Sequence, residues 1–373
     1  MKSSVLNWAL SASTVVGYPT LSKPSSLVVT GAPQSLRPYV IRRGDGLTSS
    51  MGNQVYRFPV TGNSSGGAFT ILQANAPNSA SIGVLPHLHK LHYENFYVNK
   101  GRAQLWAQTA DMDEQQTRVM QAGDYGCVPH NTKHAYQFED PDTEFTVAIQ
   151  PGGFEALFLA ISGGEYKSII GSEFITEQKN DSSTGVTPEL AAMLEVYDSW
   201  IEPNFVPRQD SVNGIAGSGN WHNGSNELAA DEFTPNFIAK NYGPKYLNSE
   251  GGIYTIIAPL ATGKQTANNL TEGTMTLSKK LANQTAPVTT VPVHTAFQMQ
   301  EGQLLVTIGG ESEFLETGDV VFVPGNTTFS YFSTVAFTQF LYVSAGVGGL
   351  DEQLLANSVD WDYATFPQYP PSN

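Results

Sequence analysis

Five of the seven histidines, His87, His89, His92, His130 and His134, lie between residues 87 and 134. In the run PHLHKLHYENFYVNKG, His87 and His89 stand two apart, so on a strand both rings leave the same face. Glu94 follows His89 by five residues, an odd offset. It joins the same site only if the chain bends or changes strand between Lys90 and Tyr93. His134 comes after the turn Gly123…Pro129, on a later strand that can close a barrel around the pair. Three imidazoles and one carboxylate make a mixed nitrogen and oxygen site with room for solvent or substrate. Such donors suit copper, iron, nickel, manganese or zinc rather than calcium or magnesium. His92 is one residue out of phase with the pair, and His130, His222 and His294 have no partners at useful spacing. These four read as surface or structural residues.

The elements that must position the quartet are short strands. Runs such as QVYRFPV, AFTILQA, AQLWAQ, YTIIAPL, LLVTIGG and VVFVPG are rich in Val, Ile, Phe, Tyr and Thr and are bounded by Gly, Asn or Pro. That is the pattern of a sandwich or barrel. Helical signals are few. Thr187-Pro188-Glu189 supplies a cap, a first-turn proline and an acid ahead of ELAAMLEVYDSW, and a second helix is expected over Phe154–Ile161. An internal repeat is visible, GDYGCVPHNTKHAYQF (Gly123–Phe138) against GDVVFVPGNTTFSYFS (Gly318–Ser333). Two related β-domains are therefore expected at about 27–165 and 236–360, joined by a Gly/Ser/Asn-rich linker over 166–235.

The 373 residues suffice for two domains, and 40% hydrophobic content excludes general disorder. No apolar run approaches the ~18 residues of a spanning helix, so no membrane partner is expected. Lys+Arg 19 against Asp+Glu 34 gives a net charge of −15, which argues against nucleic acid. The single cysteine, Cys127, excludes an internal disulfide and reads as a packed strand residue. The first residues resemble a secretory signal, expected over 1–20. Six Asn-x-Ser/Thr sequons, at Asn63, Asn180, Asn223, Asn269, Asn283 and Asn326, point the same way, to a secreted glycoprotein. Gly62-Asn63-Ser64-Ser65-Gly66 fits a nucleophile-elbow pattern but precedes a strand instead of a helix, and so is set aside.

His87, His89, Glu94 and Gly101, then Gly123, Pro129 and His134, match the two cupin motifs, with Asn131 and Phe138 as the departures. Beyond them HYENFYVNKG, AQLWAQ, QQTRV, DPDTE, PGGFE, RPYVIR and GPKYLNS resemble the fungal quercetin 2,3-dioxygenase family. The resemblance implies an all-β bicupin of two double-stranded β-helix (jelly-roll) domains, with one divalent transition metal held by His87, His89, Glu94 and His134. Copper is the implied ion, with iron, manganese, nickel and cobalt as alternatives. It implies flavonol and O₂ as substrates, a depside and carbon monoxide as products, and Glu94 as the base that takes the 3-hydroxyl proton. A homodimer is among the expected states. Pocket positions matching the family are Tyr56, Phe96, Ile149 and Phe154, while Leu72, Tyr136 and Phe145 differ from it. Tyr136 lies two residues from His134, on the same strand face, and so is expected to touch substrate.

In the second copy, aligning Gly302 and Gly318 puts Thr295 at the glutamate position and Phe329 at the last histidine, with Val288 and Thr290 near the first pair. Hydroxyl and phenyl groups cannot complete a divalent ligand set, so this copy is expected to be structural. Two rivals stand beside the leading reading. One is manganese-dependent oxalate decarboxylation or oxidation, and the other is a non-enzymatic bicupin binding protein.

Overall fold

The computed structural model describes residues 25–76, 82–165, 187–208 and 226–367. The expected leader, the sequons at Asn180 and Asn223, and His222 lie outside the described residues. The alternating runs form short strands in four sheets, of nine, seven, five and four strands. The seven- and five-stranded sheets face each other over one apolar core that draws Phe96, Val98 and Ile149 from one and Leu105, Tyr136 and Phe138 from the other. The nine- and four-stranded sheets enclose a second core around Phe297, Leu304, Val306 and Phe340. Both are jelly-roll sandwiches. No helix among the described residues is long and apolar enough to cross a membrane.

The repeat is structural. Gly123 and Gly318 both adopt left-handed backbone, φ 94° and 91°, and Gly101 and Gly302 do likewise at 69° and 81°. Asn131 and Asn326 match at φ 60° and 62°. Asn131 stands where the cupin motif has glycine, and asparagine is among the few other residues that tolerate this region.

The sheets divide the chain differently from the expected boundaries at 27 and 236. Strand Tyr39–Ile41, placed by sequence in the first domain, pairs antiparallel with Val320–Val323 of the second. Val28–Val29 adds to it in parallel. Conversely, Asn236–Ile238 pairs with Tyr125–Val128 in the first sandwich. Each half thus lends a strand to the other. A third apolar cluster fills the seam, with Tyr39, Ile41, Phe69 and Ile71 against Leu270, Val320, Phe322 and Val343. Strand Tyr93–Lys100 shows the consequence. Phe96 and Val98 enter the first core, while Tyr97 packs on the other side with Tyr125, Leu260 and Leu341, so both faces are buried.

The linker is also part of the fold. Trp200–Ile201 pairs antiparallel with His87–Leu88, at the edge of the five-stranded sheet. Helix Pro188–Val196 forms as the sequence signals, its Thr187 side chain accepting from the Leu190 amide. The helix expected over Phe154–Ile161 spans Glu155–Ala160.

Because the seam cluster joins both halves, they are expected to unfold together. Phe322 is fully buried and stacks on Tyr39 at 5.4 Å between ring centroids. Phe322→Ala should cost about 3–5 kcal/mol and lower the midpoint of one shared calorimetric transition; two separate transitions would contradict this.

Candidate metal centre and pocket

The strand register supplies the first contacts. His134, on strand Lys133–Phe138, lies directly opposite His87. Glu94, on Tyr93–Lys100, lies opposite Ile149. Cross-strand partners share a face, so Glu94, Phe96, Ile149 and Val147 look into the same cavity. The odd offset of Glu94 is absorbed by the break between the two strands at residues 89–92, where the chain crosses from one sheet to the other.

All four side chains are buried, and one ligand atom from each falls within a cluster no wider than 4.8 Å. The ring centroids of His87 and His134 are 4.2 Å apart, and those of His89 and His134 are 5.2 Å apart. Each imidazole is oriented by a backbone carbonyl. Nδ1 of His87 lies 2.7 Å from the Leu85 oxygen, Nδ1 of His89 lies 2.6 Å from that of Asp198, and Nδ1 of His134 lies 3.0 Å from that of Thr132. A carbonyl only accepts, so each Nδ1 carries hydrogen and each Nε2 is turned to the centre. Nε2 of His134 is 3.0 Å from Glu94 Oε2. Nε2 of His89 is 3.5 Å from Glu94 Oε1 and, although buried, has no hydrogen-bond partner. An orphaned buried imidazole nitrogen beside a carboxylate and two further nitrogens is a donor set that fits one divalent transition metal.

The electrostatics agree. Burial raises the Glu94 pKa, but His89 and His134 outweigh it and hold the carboxyl well below its usual range. Burial and the two neighbouring rings push His87 well below 6.5, so it is neutral. Burial lowers His89, yet Glu94 more than offsets this and raises it above 6.5.

Beside the quartet lies a cavity of ≈ 260 Å³, against the ~10–15 Å³ one water needs on the same measure. All five residues expected to bind substrate, Tyr56, Phe96, Tyr136, Ile149 and Phe154, line it, as do Leu72 and Phe145. His87 and Glu94 form its metal-facing wall. No lysine or arginine lines it among the described residues. Its polar feature is a cluster in which Tyr56 Oη lies 2.6 Å and Tyr136 Oη 3.0 Å from Gln54 Oε1, with the two hydroxyls 3.1 Å apart. Burial pushes both phenols up, so both remain neutral donors.

Sequence reasoning missed Leu157, Phe158, Leu190, Leu194 and Ile201, which also line the cavity. Two of these lie on helix Pro188–Val196 and one on the linker strand, so residues 187–201 form a pocket wall as well as a connection. The signal was present as leucines at i and i+4. His92 does not join the quartet but stands beside it, with Nδ1 2.8 Å from Asp198 Oδ2. His130 packs on Tyr93, and His294 accepts from the Gly325 amide. Cys127 is buried with its thiol pushed up to about 12 by desolvation. Ser64 of the nucleophile-elbow pattern is buried in a capping box with Thr61.

In the second half the register corrects one alignment. Thr289, rather than Val288 or Thr290, lies opposite Phe329 as His87 lies opposite His134. The Asn326 amide donates to Val291 as the Asn131 amide donates to His89. Thr289 and Val291 are therefore the counterparts of His87 and His89, and Val288 and Thr290 point outward, exposed. Phe297, Phe329, Tyr331 and Phe340 fill the equivalent centre. Among the described residues, metal-capable clusters occur in the first half alone.

Two jelly rolls joined by exchanged strands, the first with a three-histidine, one-carboxylate quartet, define a bicupin with a candidate metal centre in its first half. No family model matches the sequence. The chain is 44% identical over 347 residues to quercetin 2,3-dioxygenase from Aspergillus japonicus, covering 92% of this chain and 99% of that protein. It therefore belongs to the quercetin 2,3-dioxygenase family. A quercetin 2,3-dioxygenase from Bacillus subtilis is 29% identical over 142 residues, 38% of this chain and 40% of that protein. A mutant form of the oxalate decarboxylase from Bacillus subtilis shares the fold at TM-score 0.51 and 15% identity, covering 85% of this chain and 79% of that one.

Metal analysis should find one divalent ion per chain, and His134→Ala should lose most of it while keeping its circular dichroism. Two tightly held ions per chain would contradict the single site. The metal must also displace the proton that Glu94 draws onto His89. Apparent affinity, measured by chelator competition, should therefore climb as pH rises through and beyond 6.5; a flat profile between about pH 5.5 and 8.5 would contradict it.

Proposed function

We propose that this protein opens the heterocyclic ring of flavonols such as quercetin with O₂, both oxygen atoms entering the depside as carbon monoxide leaves. The observation that carries the reading is the buried Glu94 at the junction of a metal quartet and an aromatic cavity, in a chain of this family. Copper is the proposed ion, since it tops the stability order for nitrogen and oxygen donors. When bound, the ion supplies Lewis acidity toward the 3-hydroxyl group and a route for electrons toward O₂.

The protein's own residues do the rest. Phe96, Phe154, Leu72 and Ile149 offer flat apolar walls on which a fused aromatic ring system lies. Glu94 accepts the 3-hydroxyl proton at a carboxylate oxygen, leaving an electron-rich flavonolate. The largely apolar lining offers few hydrogen-bond partners to water beside that anion. The Tyr56, Tyr136 and Gln54 cluster gives a polyphenol's ring hydroxyls a place to pair. A small dianion such as oxalate would need cations in the wall, and the lining has none among the described residues. Secretion and glycosylation belong to the same proposal, supported by the exposure of Asn63, Asn269, Asn283 and Asn326.

Glu94→Gln keeps a weaker ligand but cannot take a proton. Turnover per bound metal should fall roughly a hundredfold or more and recover in part at high pH, where flavonol arrives ionised. Equal turnover per metal from about pH 5 to 9 would reduce Glu94 to a ligand. Tyr136→Phe should raise KM about five- to tenfold for a flavonol with ring hydroxyls and leave a flavonol lacking them unchanged. An equal effect on both would remove Tyr136 from substrate selection.

A further inference from the structure

Glu94 and His89 share a centre because the chain crosses from one sheet to the other through the segment 89–92. Its successive amides are held by one carboxylate from the linker. Asp198 Oδ1 accepts from the Lys90 amide at 2.9 Å, and Oδ2 accepts from the Leu91 amide at 2.8 Å and the His92 amide at 3.1 Å. Oδ2 also meets His92 Nδ1 at 2.8 Å, and Trp200 Nε1 lies 3.2 Å from Oδ1. The backbone oxygen of the same residue orients His89 through Nδ1 at 2.6 Å. Asp198 is buried and has left-handed backbone, φ 62°. The Lys90 ammonium, 3.0 Å from the Trp200 ring centroid, clasps linker to loop a second time.

We infer that Asp198, outside the metal quartet, is the positioning residue that sets the geometry of the metal centre, so that the linker is a working part of the site. The inference rests on the quartet's reading as a metal site. Three successive amides converging on one carboxylate fix the loop's path. That path decides where His89 leaves the first sheet and where Glu94 enters the second. Outer partners of this kind alter affinity by about 10–100-fold when removed.

Two variants separate positioning from bulk stability. Asp198→Gly keeps the left-handed backbone and its carbonyl without strain while deleting the carboxylate. Asp198→Asn keeps the shape but turns an N–H group toward N–H donors. Wild type and both variants, prepared metal-free, are titrated with Cu(II) against a chelator, and the copper signal is recorded by electron paramagnetic resonance. Both variants should bind Cu(II) about 10–100-fold more weakly than wild type, with altered hyperfine splitting, while His92→Gln, which removes one contact, changes affinity by less. A purely structural role would lower the melting midpoint and leave affinity and spectrum of the folded protein as in wild type. That result would overturn the inference, and Asp198→Asn alone decides it if the glycine variant does not fold. Wild type that takes up no copper would overturn the metal reading and this inference together.

Discussion

Everything at this site depends on three backbone carbonyls that hold three imidazole Nδ1 atoms. Leu85, Asp198 and Thr132 each fix a tautomer and a ring plane, and the three Nε2 atoms then have no direction left but inward. Glu94 closes the set from another sheet. A buried carboxylate is costly unless paired, and here the neighbouring rings keep it ionised. The arrangement is therefore poised for a cation, and its ordering is supplied by the fold before any ion arrives. The sandwich, the linker strand and the loop reversal all serve to bring those carbonyls and that carboxylate to one point.

The two halves show what duplication preserves and what it releases. The turn glycines, the left-handed asparagines and the amide-to-carbonyl bond behind them recur almost unchanged. The inward positions do not. Where the first half has histidines and a carboxylate, the second has Thr289, Val291, Thr295 and Phe329 beside an aromatic core. The second jelly roll is tied to the first through the exchanged strands and the shared seam.

Much of this was legible in the sequence because it is local. The pair His87 and His89 declares a strand face, and Tyr136 declares the same face as His134 by its spacing. The repeat declares itself through Gly123 and Gly318. What escaped is non-local. The pairing of Tyr39–Ile41 with Val320–Val323 joins segments far apart in the chain, and no periodicity records it. Asp198 reads as one acid in a linker until Trp200–Ile201 is seen beside His87–Leu88. The shift from Val288 and Thr290 to Thr289 and Val291 came from a loop of different length, which only the ladder register resolves.

A single metal-bearing aromatic pocket that consumes flavonol and O₂ together leaves a direct optical and chemical signature. The flavonol absorbance band at the edge of the visible is followed in the copper-loaded protein, under air and under nitrogen, with carbon monoxide collected from the headspace. The band should be lost under air alone, with one carbon monoxide released per flavonol consumed. A band that persists in air, or that decays equally under nitrogen, would contradict this function.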